Sequence, residues 1–268
     1  MSEGGHIVVT GASSGIGRDI AKAFDQPGNC ISLVARREPL LRELQSEIQT
    51  RSEVVVADLS DTDDPIAWLR QAEETMGPTD VLVNNAGVSF VEPVEGISAE
   101  RIAWKFQINV LTPIAAMQHV IQHMLERGQG TIVNICSVSA ITPRPYFCHY
   151  TATKAALANY SEALRIELAN RGVHVLTVYP GPVDTPMGER NFNQFDNPAA
   201  VKKAPTGDTV SLARLILRAT EQKRRRVIYP GIYKLNWFFR SFAYALAERT
   251  PAITGDLTPR MSQQDPEP

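Results

Sequence analysis

Seven short aliphatic runs, separated by longer helical patterns, constrain this chain more than any other feature. The runs cover 7–10, 31–35, 54–57, 81–84, 131–135, 173–178 and 227–229. Each carries apolar residues at consecutive positions, so both faces would be covered, as in strands of a parallel sheet packed between helices. Helical patterns fall near 16–25, 38–50, 65–76, 101–127, 151–171 and 208–222. Regular strand–helix alternation predicts an α/β fold with a doubly wound parallel sheet of about seven strands flanked by helices.

No Pro/Gly-rich break divides this pattern, so 1–257 reads as a single domain, and the polar stretch 258–268 as a disordered tail. A long loop, 181–206, interrupts the alternation with Pro182, Pro186, Gly188, Pro198 and Pro205. Insertions of that length are often functional. A net charge of −2 excludes a general attraction to nucleic acid. Cys30, Cys136 and Cys148 form no CxxC pair, which points away from a disulfide framework or a zinc knuckle. Cys136 is expected to pack as a small apolar group. His119 and His123 have i, i+4 spacing, but the glutamate of HExxH and a third ligand are missing, so no metal site is expected. The chain shows no leader and no apolar run of membrane-spanning length, and a cytoplasmic setting is expected. The basic run Lys223–Arg226 reads as a solvated loop.

The first strand runs into Thr10-Gly11-Ala12-Ser13-Ser14-Gly15-Ile16-Gly17. Glycines there let the backbone approach a pyrophosphate closely, and the following helix offers its free N–H groups to the anion. This makes the fold Rossmann-like and predicts a dinucleotide. In such folds a carboxylate at the end of the second strand takes the ribose hydroxyls of NAD. Here that place holds Arg36, followed by Arg37, whose guanidinium groups suit the 2′-phosphate of NADP(H). Asp58, after the third strand, is placed to accept from the adenine amino group, or else to cap a turn. Tyr150 and Lys154 are i and i+4 on one helix face, where an ammonium would lower the phenol's pKa and fit it for proton transfer.

Five motifs stand in the order found in short-chain dehydrogenases/reductases (SDRs): 10–17, Asp58, Asn84-Asn85-Ala86-Gly87, Ser137 with Tyr150xxxLys154, and Pro180-Gly181-Pro182-Val183-Asp184-Thr185. Over about residues 5–230 the chain resembles the compact, NADP-preferring branch of that family. The resemblance implies an oxidoreductase interconverting a carbonyl and an alcohol. It implies catalytic roles for Asn109, Ser137, Tyr150 and Lys154, with Tyr150 as acid/base, Ser137 on the substrate oxygen and Asn109 holding a water toward Lys154. It implies cofactor contacts from Gly11, Ser13, Ser14, Gly15, Ile16, Gly17, Arg36, Arg37, Asp58, Leu59, Asn85, Ala86, Gly87, Tyr150, Lys154, Pro180, Gly181, Val183 and Thr185. It also implies a homodimer or homotetramer. The rival readings are an epimerase or dehydratase on the same scaffold, and a cofactor-binding regulator without turnover.

Phe147, Met187, Phe192 and Phe195 hint at a bulky apolar substrate. Toward the end of the chain, 235–250 reads as helical. Within 235–246, Leu235, Phe238, Phe239, Phe242 and Leu246 recur at spacings of three or four and draw one stripe. With Arg240 the sole basic residue there, the stripe is expected to be buried by protein, not lipid, with Trp237 and Tyr244 partly covered.

Overall fold

The aliphatic runs become seven parallel strands: β1 His6–Thr10, β2 Cys30–Ala35, β3 Arg51–Val56, β4 Val81–Asn84, β5 Gly130–Ile135, β6 Val173–Pro180 and β7 Arg226–Tyr229. This computed structural model describes residues 4–195 and 204–249, apart from the side chains of Phe242 and residues 246–249. The strands form one sheet in the order β3-β2-β1-β4-β5-β6-β7. The order reverses between β1 and β4, so a crevice opens beyond their C-terminal ends, where ligands bind in doubly wound sheets.

Alternation along each strand divides the core in two. Ile7, Val9, Ile31, Leu33, Val81, Val83, Leu176 and Val178 face one side. There they meet α1 (Gly15–Ala23), α2 (Glu38–Glu47) and α8 (Thr209–Glu221) through Ile20, Phe24, Leu41, Leu44, Leu212 and Ile216. Val8, Val34, Leu82, Ile132 and Val175 face the other. They meet α3 (Ala67–Met76), α5 (Thr112–Arg127) and α6 (Cys148–Glu167) through Trp68, Leu69, Met117, Val120, Met124 and Leu157. Cys136 is buried in this second cluster, and burial pushes its thiol up to about 12, consistent with a packing role.

Three helical expectations need correction. The pattern 101–127 is not one helix. It is α4 (Ala99–Phe106), a π-helical turn Gln107–Leu111, then α5. The 181–206 loop contains a helix, α7 (Pro186–Asn193), whose N-terminus is capped by Thr185 Oγ1 accepting from Gly188 N at 3.0 Å; residues 196–203 lie outside the described region. Finally, the aromatic segment 235–246 is two helices, α9 (Lys234–Phe238) and α10 (Arg240–Arg249), broken at Phe239 (φ −117°, ψ 44°). The break leaves Leu235, Phe238 and Phe239 exposed, at 55%, 75% and 61%. The sheet therefore does not cover these three residues. Phe242 and Leu246 side chains, and the 258–268 tail, lie outside the described residues.

Trp237 anchors this segment instead. Its ring meets Tyr179 edge-on at 5.3 Å and lies under the Arg226 guanidinium at 4.9 Å. Arg226 is not part of a solvated loop: it opens β7 and donates from Nε to Glu162 Oε1 at 2.8 Å. Burial raises the Glu162 carboxyl, but hydrogen bonds from Arg226 and Arg165 outweigh it and hold the group at about 2, well below its ordinary 4.5. A folded-state pKa below the unfolded one stabilises the fold above pH 4.5 and loses that contribution as pH falls toward 2. At about 1.4 kcal/mol per tenfold change in proton affinity, and discounted for solvent screening of this partly exposed pair, the gap is worth on the order of 1–2 kcal/mol. Glu162→Gln is expected to lower stability by about that much at pH 7 and by far less near pH 2.5, as read by urea denaturation at both pH values. An unchanged difference at the two pH values would show that the carboxylate charge is not what matters.

Among the described residues, no helix is long and apolar enough to cross a membrane.

Candidate active site

The crevice between β1 and β4 is lined by backbone that tolerates only glycine at key points. Gly11 has φ +69°, and a Cβ there would lie 2.9 Å from Ala86 Cα. A Cβ on Gly17 would fall 2.4 Å from both Asn85 Nδ2 and Gly11 O. These contacts let the loop after β1 and the loop after β4 pack directly together. Thr10 locks them: its Oγ1 accepts from Asn85 N at 3.0 Å and Ala86 N at 3.1 Å, and Asn85 Nδ2 donates to Thr10 O at 2.9 Å. Thr10 opens the glycine motif, but nothing in the sequence signals this locking role.

No side chain caps α1. Ser14 is extended at its N-cap position without a capping hydrogen bond. Its hydroxyl instead accepts from Arg37 Nη2 at 2.7 Å, and Ser13 Oγ accepts from the same guanidinium at 2.8 Å. The first N–H groups of α1 therefore remain available to an anion at the positive end of the helix. This cradle fits a pyrophosphate, and the fit is of backbone donors with a guanidinium close by. The sequence reading gave Arg36 the leading role, but Arg37 is the one that lies across the phosphate loop. Arg36 Nη1 instead faces Asp58 Oδ2 at 3.8 Å. Asp58 Oδ1 makes the turn-capping contact, accepting from Ser60 N at 2.9 Å and Ser60 Oγ at 2.8 Å. Leu59 is buried, its carbonyl accepting from Thr112 Oγ1 at 2.8 Å.

Ser137, Tyr150 and Lys154 come together at the end of β5. Ser137 follows the strand and accepts from Ser139 N at 3.0 Å, fixing its hydroxyl oxygen. Lys154 is buried, and its Nζ donates to Ile135 O at 2.9 Å. It reaches Gly87, where a Cβ would lie 3.2 Å from Lys154 Nζ and 3.0 Å from Asn109 Oδ1. Burial lowers the lysine pKa. Tyr150 is half-buried, with its ring centroid 6.0 Å from Lys154 Nζ. Its phenol is not shifted downward, as the Tyr–Lys pairing suggests. Desolvation pushes it up to about 12, against a smaller downward pull from the Ser137 hydrogen bond. Burial decides the direction.

Asn109 is fully buried in the π turn. Its side chain clasps Val88, accepting from Val88 N at 2.8 Å and donating to Val88 O at 2.9 Å, and it donates to Thr153 Oγ1 at 3.0 Å. It thus ties the loop after β4 to α6. On the far side, Gly181 N donates to Tyr229 O at 2.6 Å, Val183 is buried, and Thr185 lies next to the phosphate loop, where a Cβ on Gly15 would be 3.2 Å from Thr185 Cγ2. A cavity of about 530 Å³ opens against Val183, Thr185, Pro186, Glu189 and Phe192. Phe147, Phe195, Tyr146, Phe192 and Val91 form an aromatic cluster beside Tyr150. His119, away from this crevice, bonds Glu73 Oε2 at 2.8 Å.

The chain as a whole is similar to known proteins. Residues 5–195 match the family described as short chain dehydrogenase. An uncharacterized oxidoreductase of Staphylococcus epidermidis is 37% identical over 182 residues, 68% of this chain and 79% of that one. A 3-ketoacyl-(acyl-carrier-protein) reductase from Brucella melitensis, solved with NADH, superposes with a TM-score of 0.74 at 26% identity, covering 85% of this chain and 97% of that one. A short-chain dehydrogenase from Sphingobium yanoikuyae, solved with NADPH, gives 0.75 at 25% identity and covers 98% of each chain. With the parallel sheet, the glycine cradle and the serine–tyrosine–lysine cluster on one crevice, this chain belongs to the short-chain dehydrogenase family of oxidoreductases.

Proposed function

We propose that this protein interconverts a carbonyl and an alcohol with NADP(H), using Tyr150 as acid/base, on a substrate with a bulky apolar body. The observation that carries the reading is the convergence of Ser137, Tyr150 and Lys154 beside Gly87, at the same crevice as the glycine cradle. Gly11, Gly15, Ile16 and Gly17 would hold the pyrophosphate, Ser13, Ser14, Arg36 and Arg37 the 2′-phosphate, and Asp58 and Leu59 the adenine. Asn85, Ala86 and Gly87 would line the ribose, and Pro180, Gly181, Val183 and Thr185 the nicotinamide. The dinucleotide, when bound, supplies or accepts the hydride. In reduction, the Tyr150 phenol passes its proton to the carbonyl oxygen, while the Ser137 hydroxyl hydrogen-bonds the oxygen on which charge develops. A phenol held at about 12 is protonated at neutral pH and suited to that donation. Lys154 replenishes the proton through its ammonium, and Asn109 keeps the loop after β4 in register with α6.

Supplying NADPH and NADH separately with a panel of aryl, steroid and aliphatic ketones tests the reading. Ketone-dependent loss of reduced-nicotinamide absorbance is expected, faster with NADPH at subsaturating cofactor. Tight NADPH binding with no consumption on any carbonyl would point instead to a cofactor-binding regulator.

A further inference from the structure

Four arginines are partly withdrawn from solvent among the described residues: Arg18, Arg101, Arg144 and Arg165. Three have carboxylates, Arg18 with Glu43 and Glu47, Arg101 with Glu92, and Arg165 with Glu162. Arg144 has no carboxylate or carbonyl partner among the described residues. Burial pulls its pKa down, with only Tyr233 acting the other way. A guanidinium stays charged in proteins, and a desolvated charge without a partner is costly. Such groups gather at functional sites.

Its position supplies a reason for that cost. Arg144 sits between Pro143 and Pro145, which restrict the backbone on the segment joining Ser137 to α6. Its guanidinium lies 5.7 Å from the Phe147 ring centroid. That ring in turn lies 6.4 Å from the ring of Tyr150. Tyr233 completes the surroundings: its ring presses on Gly181, where a Cβ would lie 2.7 Å from Tyr233 Cε2, and its hydroxyl donates to Pro205 O at 3.2 Å. Arg144 therefore stands where the segments following β5 and β6 meet, one aromatic ring away from the reacting tyrosine. Its planar fork of donors matches a carboxylate.

We propose that Arg144 recognises a carboxylate on the substrate, whose apolar body lies along Phe147 and whose carbonyl meets Tyr150. This rests on the catalytic reading above and narrows its substrate class to keto acids and hydroxy acids with an aromatic or similarly flat body. A suitable probe pair is para-acetylbenzoate and its methyl ester, which keep the ketone and ring and differ in the charge.

Calorimetric titration of each compound into the full chain saturated with oxidised NADP tests recognition without turnover. The acid is expected to bind on the order of 10- to 100-fold tighter than the ester. Arg144→Gln should abolish that preference, and Arg144→Lys, which keeps the charge, should retain part of it. Equal binding of acid and ester by the parent chain, or no binding of the acid, overturns the proposal without any variant. An Arg144→Gln chain that weakens both ligands equally also overturns it, because that is a structural effect. NADPH consumption is followed in parallel. If neither compound is reduced while the calorimetric preference stands, the carboxylate site remains, and the catalytic reading is decided by the ketone panel above.

Discussion

Tyr150→Phe is expected to lower turnover by about 10²–10⁴-fold, the usual cost of removing a general acid. The substitution removes one oxygen. The ring contact with Phe147, 6.4 Å between centroids, does not depend on that oxygen. The Lys154 hydrogen bond to Ile135 O does not depend on it either. Cofactor affinity, measured by fluorescence titration, should therefore stay near that of the parent chain. The pH profile supplies a second readout. With the phenol pushed up to about 12, its protonated form prevails throughout the neutral range, so carbonyl reduction should vary little there. Alcohol oxidation needs the phenolate and should climb as pH rises. Parent-like turnover in Tyr150→Phe would remove the tyrosine from the chemistry altogether.

The second large effect is expected at the cofactor's phosphate. Arg37 already bridges Ser13 and Ser14, at 2.8 and 2.7 Å from Nη2, so it is positioned for a 2′-phosphate without a rotamer search. Charge-assisted hydrogen bonds are worth about 1.5–3 kcal/mol each. Arg37→Ala should weaken NADPH binding by roughly 10- to 100-fold and leave NADH nearly untouched. Arg36→Asp combined with Arg37→Ala goes further. It puts a carboxylate at the end of β2, where NAD-binding folds use one for the ribose hydroxyls, and makes a 2′-phosphate repulsive. The preference should then reverse to NADH, which titration of both cofactors into parent and double variant would reveal. A parent chain that favours NADH would end this line of argument.

The frame of the molecule was legible because its signals are local and repeated. Strand positions such as Val81–Asn84 can be read from consecutive apolar residues, and the order of motifs brings Gly11, Gly87, Ser137 and Tyr150 onto one crevice once the sheet is parallel. What could not be read depends on competition between neighbours. Arg36 and Arg37 are adjacent in sequence, and only the fold determines that one reaches Ser13 while the other turns to Asp58. The tyrosine's pKa is set by burial, which no motif encodes. The stripe of Leu235, Phe238 and Phe239 is evident in the spacing, but the break at Phe239 turns it outward and leaves Trp237 as the anchor. Arg144 escaped notice because an unpaired guanidinium is visible only when every nearby carboxylate has been assigned elsewhere.

The π turn at Gln107–Leu111 has a consequence for how this site and this fold are joined. A π turn closes with i→i+5 hydrogen bonds, one residue more than an α turn. The turn thus takes up one surplus residue, and the helices on either side keep a common inward face. That surplus is where Asn109 projects toward Val88 and Thr153. The clasp on the cofactor-side loop behaves as a graft: a residue inserted into a helix that already had its packing, adding a contact without disturbing either half of the core. Variation at this point can tune the active-site loop while the scaffold that carries it stays the same.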